Sequence, residues 1–250
     1  PTPIASSAAS DVYKRQILSG RDYSKNYRNL QLDTLKPIYN RALTATYPPG
    51  SMFKLIQALI GLEENVVSKE DQIYVDLSRI GDLAPAGIYD LNKAIVNSSN
   101  NYFHILFRKL INQKRDNNTF IDSRIGLDRW SEYVKKFGLG SDLDFDISNM
   151  SSGFVPSSEY YDGFYGKGRW KFSNIYSLSI GQGELLVTPI QMANFASIIA
   201  NRGYYYNPNI VTHINGKKTS NNQRKYLDID KTHFDYVVDA MENVLSLIHI

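Results

Sequence analysis

The sequence predicts an α+β fold in which helices predominate and strands are few. Helix signals lie at 51–65, 91–96, 101–112, 123–140, from Thr188 onwards and at 231–243. Strand signals are limited to a short run at 72–78 and another after Gly203. The chain has 250 residues, of which 42% are hydrophobic and 21% charged, so it is long enough and apolar enough to bury a substantial core.

The first helix follows a Pro-Pro-Gly turn, and its spacing predicts a helix over Ser51–Asn65. This segment is apolar nearly all round, which is typical of a helix buried in the core. The run "QIYVDLS" at 72–78 predicts a strand, and a Gly/Pro-rich loop follows it. A short helix or turn is expected at 91–96, and an amphipathic helix at 101–112.

The second half of the chain begins with an amphipathic helix at 123–140 that ends on a glycine. Residues 141–174 are rich in glycine and aromatic residues and predict a loop region. The next helix has clear boundary signals, since Thr188 fits an N-cap, Pro189 the first helical position and Gln191 a capping box. A strand and turn are expected after Gly203, and a last helix at 231–243.

Composition excludes several classes of function. The net charge of +3 is too small to indicate a nucleic-acid partner, and the basic residues are scattered apart from a short cluster at 217–225. The absence of cysteine excludes disulfides and thiolate metal sites, and the four histidines form no pair at ligand spacing, so we expect neither a metal nor a cofactor. No apolar run reaches the roughly 18–20 residues of a membrane span, and no signal peptide is visible.

Both ends of the chain carry sequence that we interpret as adaptor-derived rather than native. The hexapeptides "DVYKRQ" at 11–16 and "LSLIHI" at 245–250 can be encoded on opposite strands of one oligonucleotide, and "SSAAS" at 6–10 fits the same oligonucleotide extended upstream. Neither folding nor function produces such a relationship between distant peptides. We therefore expect residues 1–16 and 245–250 to be foreign, and residues 17–244 to be a partial domain.

The motif "SMFK" places Ser51 and Lys54 at the start of the first buried helix. Residues three apart lie on the same helix face, so the lysine amine can reach the serine oxygen. Burial and the helix dipole both disfavour the ammonium form, and a neutral amine can act as the base that activates a serine. The same helix start offers backbone N–H groups to an oxyanion. The alternative is an ordinary helix start with a solvated lysine, because an S-x-x-K spacing arises by chance about once in a chain of this length.

Two further segments are candidates for the same site. Ser98 and Asn100 in "SSN" can present a hydroxyl and an amide together, to relay a proton to a leaving group and hold a substrate amide. Alternatively, this triplet simply caps the helix at 101–112. The run "SIGQGELLVTP" contains Gly181, Gln182 and Gly183. These three residues form either a tight turn that borders a substrate-binding site or merely a tight turn, and no lysine follows at the spacing of a phosphate loop.

The set S-x-x-K followed by S-x-N resembles the first two motifs of the penicillin-recognising serine acyltransferases, whose third motif is K-T-G on a strand. The segments "NRALTATYPPGSMFKLIQALIGLEE" and "AIVNSSNNYF", and the long stretch at 159–208, are similar to the transpeptidase domain of class B penicillin-binding proteins, most of all the elongation-type penicillin-binding protein 2. This resemblance covers residues 17–244 in order. It implies that Ser51 is the acylated nucleophile, that Lys54 is its base, and that Ser98 and Asn100 form the second motif.

The resemblance also implies a fold and a reaction. The family fold is an antiparallel sheet packed by helices on both faces, and the reaction is D,D-transpeptidation on the D-Ala-D-Ala ends of peptidoglycan stem peptides, which β-lactam antibiotics mimic. It further implies a catalytic domain on the periplasmic side of the bacterial inner membrane, and a membrane glycosyltransferase of the elongation machinery as a partner. Two alternatives have the same fold: a serine β-lactamase and a non-catalytic β-lactam-sensing domain.

The sequence departs from the family pattern in one respect, since it contains no K-T-G or K-S-G. The third motif is expected after the helix that contains "VVDAMENV", where the adaptor-like sequence begins. We therefore expect the domain to be incomplete at its C-terminal strands, with the membrane anchor and pedestal domain also missing before residue 17. On this interpretation the 250-residue polypeptide is poorly stable and inactive, whereas its parent gene encodes an enzyme.

Overall fold

The computed structural model describes residues 20–144, 146, 149–211, 213–218 and 223–247. Residues 1–16 and 248–250, for which an adaptor origin is expected, lie outside the described residues. The α-helices of the described part are α1 (Tyr23–Leu32), α2 (Arg41–Thr44), α3 (Lys54–Glu63), α4 (Leu91–Val96), α5 (Asn100–Ile111), α6 (Thr119–Lys136), α7 (Ser158–Tyr165), α8 (Phe172–Ile175), α9 (Pro189–Ala200) and α10 (Lys231–Leu247). Two 3-10 helices span Gly50–Phe53 and Tyr176–Ile180.

The described strands pair in three short antiparallel hairpins or ladders. They are β1 (Ile73–Val75) with β2 (Gly87–Tyr89), β3 (Tyr204–Tyr206) with β6 (Arg224–Tyr226), and β4 (His213–Ile214) with β5 (Lys217–Lys218). In the first pair Tyr74 lies opposite Ile88, and in the second Tyr205 lies opposite Lys225. Isolated antiparallel bridges also join Tyr47 to Val187 and Phe154 to Leu186. The α+β prediction is confirmed, with helices as the main part of the described structure.

Helix α3 is the centre of the core, as its nearly uniform apolar sequence predicts. Every residue from Ile56 to Leu62 is buried, and so is Lys54 at the start of the helix. Phe53 packs edge-on against Trp130 of α6 with ring centroids 5.8 Å apart, and Phe107 of α5 contacts the same indole at 5.3 Å. Helices α5, α6 and α10 therefore enclose α3, and its N-terminal end is held in a rigid environment.

Polar caps decide where several helices begin. The Asn118 side chain accepts hydrogen bonds from the N–H groups of Phe120 and Ile121, so α6 starts at Thr119 rather than at the predicted residue 123. The predicted capping box at the start of α9 is confirmed, since Thr188 accepts from the Gln191 N–H and the Gln191 side chain accepts from the Thr188 N–H.

The region 141–174 is rich in loops, as predicted, but it also contains a helix that the sequence did not indicate. Helix α7 forms there after Ser157, and Ser158 is fixed by Asp128, whose carboxylate accepts from its N–H at 2.8 Å and from its hydroxyl at 2.6 Å. The aromatic side chains of this region pack together, with Tyr161 and Trp170 fully buried. Their burial stabilises a helix that the glycine content of the sequence obscured.

Strand and helix ends also differ from the sequence prediction. The strand expected at 72–78 is limited to Ile73–Val75, because Asp76 turns back to accept hydrogen bonds from the N–H and hydroxyl of Ser78. The last helix runs to Leu247 rather than ending at 243. In the described ranges no helix is both long and apolar enough to cross a membrane.

Candidate active site

Ser51 lies on the 3-10 turn that precedes α3, where its side chain is exposed to solvent. Gly50 has a φ of 62°, a left-handed conformation that glycine adopts without steric cost. The Gly50 N–H donates to the carbonyl of Gly181 at 2.9 Å, which ties the turn to a distant segment. The turn thus presents the serine at the surface, while Phe53 anchors it in the core.

Lys54 lies one turn after Ser51 and is only 2% exposed. Its backbone N–H donates to the Ser51 carbonyl, so both residues belong to the same helical turn. The ammonium Nζ donates to the Ser98 carbonyl at 2.5 Å, to the Ser98 Oγ at 2.9 Å and to the Asn100 Oδ1 at 2.6 Å. The structure therefore brings Lys54, Ser98 and Asn100 into direct contact, with Ser51 on the same helical turn as Lys54.

The electrostatic environment of Lys54 suits a base. Burial lowers the pKa of its amine from 10.5 to about 8, while the negative charge of Asp82 acts in the opposite direction. The amine also lies 5.9 Å from the centre of the Phe103 ring. With a pKa of about 8, about a tenth of the lysine is neutral at pH 7, and this form can accept a proton from a serine hydroxyl.

The Ser98–Asn101 turn both caps helix α5 and presents a polar pair to Lys54, the two alternatives that the sequence left open. Ser99 is the N-cap of α5, and its hydroxyl accepts from the Tyr102 N–H at 3.3 Å. Ser98 and Asn100 instead direct their side chains to Lys54. Ser98 has a φ of 49°, which is strained for a residue other than glycine and persists where the surroundings determine it. The cap and the polar pair are thus formed by alternate residues.

Of the predicted substrate-binding residues Gly181, Gln182 and Gly183, the first two lie beside the Ser51 turn, and Gly183 lies against Ser177. A Cβ atom at Gly181 would be 2.4 Å from the Gly50 carbonyl oxygen and 2.6 Å from the Phe53 Cβ. Gly181 is buried, so it contributes close packing, whereas Gln182 and Gly183 are exposed. The Gln182 Nε2 would lie 3.6 Å from a Cβ at Gly50, so this side chain borders the turn. Contact of these residues with a substrate remains a prediction.

Sequence reasoning missed Gln57, which is fully buried one turn after Lys54. Its Oε1 accepts from the Trp130 indole N–H at 2.8 Å, and its Nε2 donates to the Leu178 carbonyl at 3.2 Å. Gln57 therefore connects the lysine helix to α6 and to the segment that leads into Gly181. A buried amide in an otherwise apolar helix was the signal, since such groups need partners.

The arrangement has the parts of a serine acyl-transfer site: an exposed serine hydroxyl at a helix start, a buried lysine on the same turn, and a second serine with an asparagine bonded to that lysine. Among the described residues, no group of three or more His, Asp or Glu side chains could hold a metal ion. This arrangement matches the first two motifs of the penicillin-recognising class that the sequence resembles.

Comparison with known proteins identifies the family. The family model for the penicillin binding protein transpeptidase domain matches residues 12–246. The chain therefore belongs to this family, and the resemblance of its sequence to elongation-type class B proteins is confirmed.

Curated relatives include peptidoglycan D,D-transpeptidases named MrdA. The protein from Acinetobacter baumannii is 29% identical over 208 residues, which cover 78% of this chain and 28% of the relative. The protein from Haemophilus influenzae is 30% identical over 203 residues, which cover 77% of this chain and 29% of the relative. The chain thus spans less than a third of the length of these relatives.

Solved structures share the fold. Pseudomonas aeruginosa PBP2 in complex with WCK 5153 matches with a TM-score of 0.71 and 28% identity, over 88% of this chain and 49% of that one. A structure described as the coordination of polymerization and crosslinking by a peptidoglycan synthase complex matches with a TM-score of 0.76 at 21% identity, over 92% of this chain and 38% of that one. At that identity the second likeness concerns the fold alone. The predicted penicillin-recognising fold is confirmed.

Proposed function

We propose that this chain contributes the nucleophile, base and second polar motif of a peptidoglycan D,D-transpeptidase that acts through a serine acyl-enzyme. The observation that carries the proposal is the set of contacts around Lys54, whose buried amine bonds to Ser98 and Asn100 beside the Ser51 turn. Membership of the transpeptidase-domain family supports the same reaction.

In the first half-reaction the neutral Lys54 amine removes the proton from Ser51 Oγ, which attacks the carbonyl carbon of the penultimate D-alanine. An ester bond to Ser51 forms, and the amide bond to the terminal D-alanine breaks. The proton taken up by Lys54 passes through the Ser98 hydroxyl, 2.9 Å away, to the departing amine nitrogen. D-Alanine then leaves as a neutral amine, and Lys54 is neutral again.

In the second half-reaction an amine from a neighbouring stem peptide attacks the ester carbonyl. A new amide bond forms, the ester bond to Ser51 breaks, and the amine proton returns to the Ser51 oxygen through Lys54. Asn100 has its Oδ1 on Lys54 and its Nδ2 on the Gly81 carbonyl, so its amide is fixed beside the position of a peptide substrate. The Gly50 N–H is taken by the Gly181 carbonyl, so the backbone N–H groups that follow it in the 3-10 turn are the ones proposed for the oxyanion.

The proposal extends to partners and location. β-Lactam antibiotics are expected to acylate Ser51, since their lactam amide takes the place of the D-Ala-D-Ala amide and its C–N bond opens as the ester forms. A membrane glycosyltransferase of the elongation machinery is the proposed protein partner, and the periplasmic side of the bacterial inner membrane is the proposed location. Relatives of this fold include one solved within a peptidoglycan synthase complex and one from Helicobacter pylori solved with MreC, and these support the type of partner.

The test is acylation of the full-length gene product that contains this sequence by a fluorescent penicillin. We expect one mole of label per mole of protein on the peptide that contains Ser51, and no label on Ser51→Ala. Lys54→Gln keeps a polar side chain but removes the base, and we expect labelling about 10³-fold slower. A matched control is Lys69→Gln, a lysine in the exposed loop after α3 that should label like the wild type.

The alternatives give different outcomes in the same assay. Rapid turnover of the penicillin, with no label retained, would indicate a serine β-lactamase and contradict the proposal. Stable labelling without release of D-alanine from a pentapeptide substrate would indicate a β-lactam-sensing domain. Stable labelling together with D-alanine release and formation of a cross-linked peptide is the expected result.

A further inference from the structure

A short loop segment, Ile80–Asp82, lies against the Ser98–Asn101 turn. Four consecutive residues of that turn divide their contacts in alternation. Ser98 and Asn100 bond to Lys54, whereas Ser99 and Asn101 bond to the loop segment, to which Asn100 is also joined by its amide nitrogen. Ser99 and Asn101 are both fully buried, so their polar groups depend on these partners.

Asp82 is the main acceptor in this contact. Its Oδ2 accepts from the Ser99 hydroxyl at 3.0 Å, from the Asn101 N–H at 2.9 Å and from the Asn101 Nδ2 at 3.2 Å. Its Oδ1 accepts from the Ala84 N–H at 3.1 Å. Burial alone raises the pKa of this carboxyl, but the backbone N–H groups that point at it outweigh burial and hold its pKa below the usual value. The carboxylate is therefore ionised at neutral pH.

The two residues before Asp82 complete the contact through their backbones. The Gly81 carbonyl accepts from Asn100 Nδ2 at 2.7 Å, which fixes the amide so that its oxygen points at Lys54. The Ile80 carbonyl accepts from Asn101 Nδ2 at 2.8 Å, and the Ile80 N–H donates to Asn101 Oδ1 at 3.2 Å. The loop thus sets the orientation of Asn100, while the Lys54 ammonium itself bonds to Ser98 and Asn100.

We propose that Asp82 is a positioning residue for acylation, which holds the Ser98–Asn101 turn in its strained conformation and acts on the Lys54 amine through its negative charge. This inference rests on the proposed function for its catalytic consequence. The left-handed φ of 49° at Ser98 is strained and needs surrounding contacts to persist, and the hydrogen bonds that Asp82 accepts from Ser99 and Asn101 supply them.

The negative charge of Asp82 stabilises the ammonium form of the buried Lys54. Burial lowers the pKa of Lys54 to about 8, and Asp82 raises it against that effect. Removing the carboxylate charge therefore lowers the pKa of Lys54 further. Another titratable group near Asp82 is Tyr89 of β2, whose pKa is raised by burial and then by the charge of Asp82. His104 of α5 contacts the rings of Phe172 and Tyr176, and its pKa is lowered by burial and then by the charges of Arg79 and Arg108.

The experiment compares Asp82→Asn and Asp82→Glu with the wild type and with Asp76→Asn. Asp76 lies in the same connection between β1 and β2 and accepts hydrogen bonds from Ser78 alone, so it is a matched control for the chemical change. The full-length gene product that contains this sequence is used throughout. The first readout is the titration midpoint of Lys54, which is measured by NMR from the ¹³Cε resonance of labelled lysine. The Lys54 resonance is assigned as the one that is lost in Lys54→Arg. The second is the acylation rate by a fluorescent penicillin from pH 6 to 10.

We expect Asp82→Asn to move the Lys54 midpoint and the acid limb of acylation about 0.5 pH unit or more toward lower pH. The plateau rate at high pH, where the lysine is neutral in both proteins, should fall about tenfold or more because the polar pair is no longer held. Asp82→Glu keeps the charge and lengthens the side chain, so it should retain the wild-type midpoint and lose the plateau rate. Asp76→Asn should change neither.

The proposal is overturned if Asp82→Asn leaves both the midpoint and the plateau as in the wild type, or if Asp82→Glu is indistinguishable from Asp76→Asn. A purely structural role would lower the amount of folded protein without moving the midpoint, and a normal midpoint in folded Asp82→Asn therefore also counts against the proposal. The NMR midpoint needs no substrate. A wild type that resists acylation would refute the proposed function, and the midpoints would still decide the effect of Asp82 on Lys54.

Discussion

Replacing Gly181 with alanine should slow acylation by displacing the turn that carries Ser51. The added Cβ would lie 2.4 Å from the Gly50 carbonyl oxygen and 2.6 Å from the Phe53 Cβ, whereas ordinary contact begins at 3.4 Å. The Gly50 oxygen must therefore move by about 1 Å, the difference between 3.4 and 2.4 Å. A displacement of about 1 Å in a catalytic arrangement can cost about 10²-fold in rate.

The same substitution should also destabilise the fold. Gly181 has a φ of 70°, which costs about 1–2 kcal/mol for a residue with a Cβ, and overpacking adds about 1–3 kcal/mol. The expected loss in the free energy of unfolding is therefore about 2–5 kcal/mol. Urea denaturation measures it, and acylation by a fluorescent penicillin is measured on the folded fraction.

Gly168→Ala is the control that separates conformational strain from contact. Gly168 has a φ of 78°, but its nearest neighbour in reach of a Cβ is the Phe120 ring at 3.8 Å. It should cost about 1–2 kcal/mol and leave the acylation rate unchanged. If folded Gly181→Ala acylates as fast as Gly168→Ala, the reasoning that Gly181 sets the position of Ser51 is refuted.

Two more predictions follow from the lysine and its helix. The acylation rate should rise as the pH increases through about 8, because the proposed base is the neutral Lys54 amine and its pKa is lowered to about that value. The rate at pH 7 should therefore be about a tenth of the plateau rate. A flat profile from pH 6.5 to 9 would contradict this prediction. Gln57→Leu should lower the free energy of unfolding by about 2–4 kcal/mol, since the Trp130 N–H and the Leu178 carbonyl lose their partner. Urea denaturation would measure this loss in the free energy of unfolding, with Gln113→Leu, a change at a more exposed amide, as the control. Equal losses in the two variants would contradict the structural role given to Gln57.

Local sequence signals predicted several helix boundaries and the buried central helix. The capping box at Thr188 and Gln191 predicted the start of α9, because the residues that satisfy its first N–H groups are three apart in sequence. The uniform apolar character of α3 likewise predicted its burial. The start of α6 was placed too late because Asn118 was overlooked as a cap, and α7 was missed because its stability comes from the distant Asp128 and from packed aromatic rings.

The candidate site was partly predictable for the same reason. Ser51 with Lys54, and Ser98 with Asn100, are each local pairs whose spacing indicates a shared face or turn. That Lys54 meets both members of the second pair depends on packing between α3 and α5, which no local pattern encodes. Gln57 and Asp82 stayed hidden because their partners lie up to 121 residues away, and only the folded chain brings those groups together.

The hydrogen bond between the Gly50 N–H and the Gly181 carbonyl has a consequence for the order of folding. The two residues are separated by more than half of the chain, and the adjoining bridge between Tyr47 and Val187 closes the same long loop. Contacts of such sequence separation form late, since loop closure must precede them. We therefore expect the Ser51 turn to be completed after the chain beyond residue 180 has joined the core. Covalent labelling by penicillin should accordingly report the last step of folding, and a refolding time course would show it lagging behind the recovery of helix.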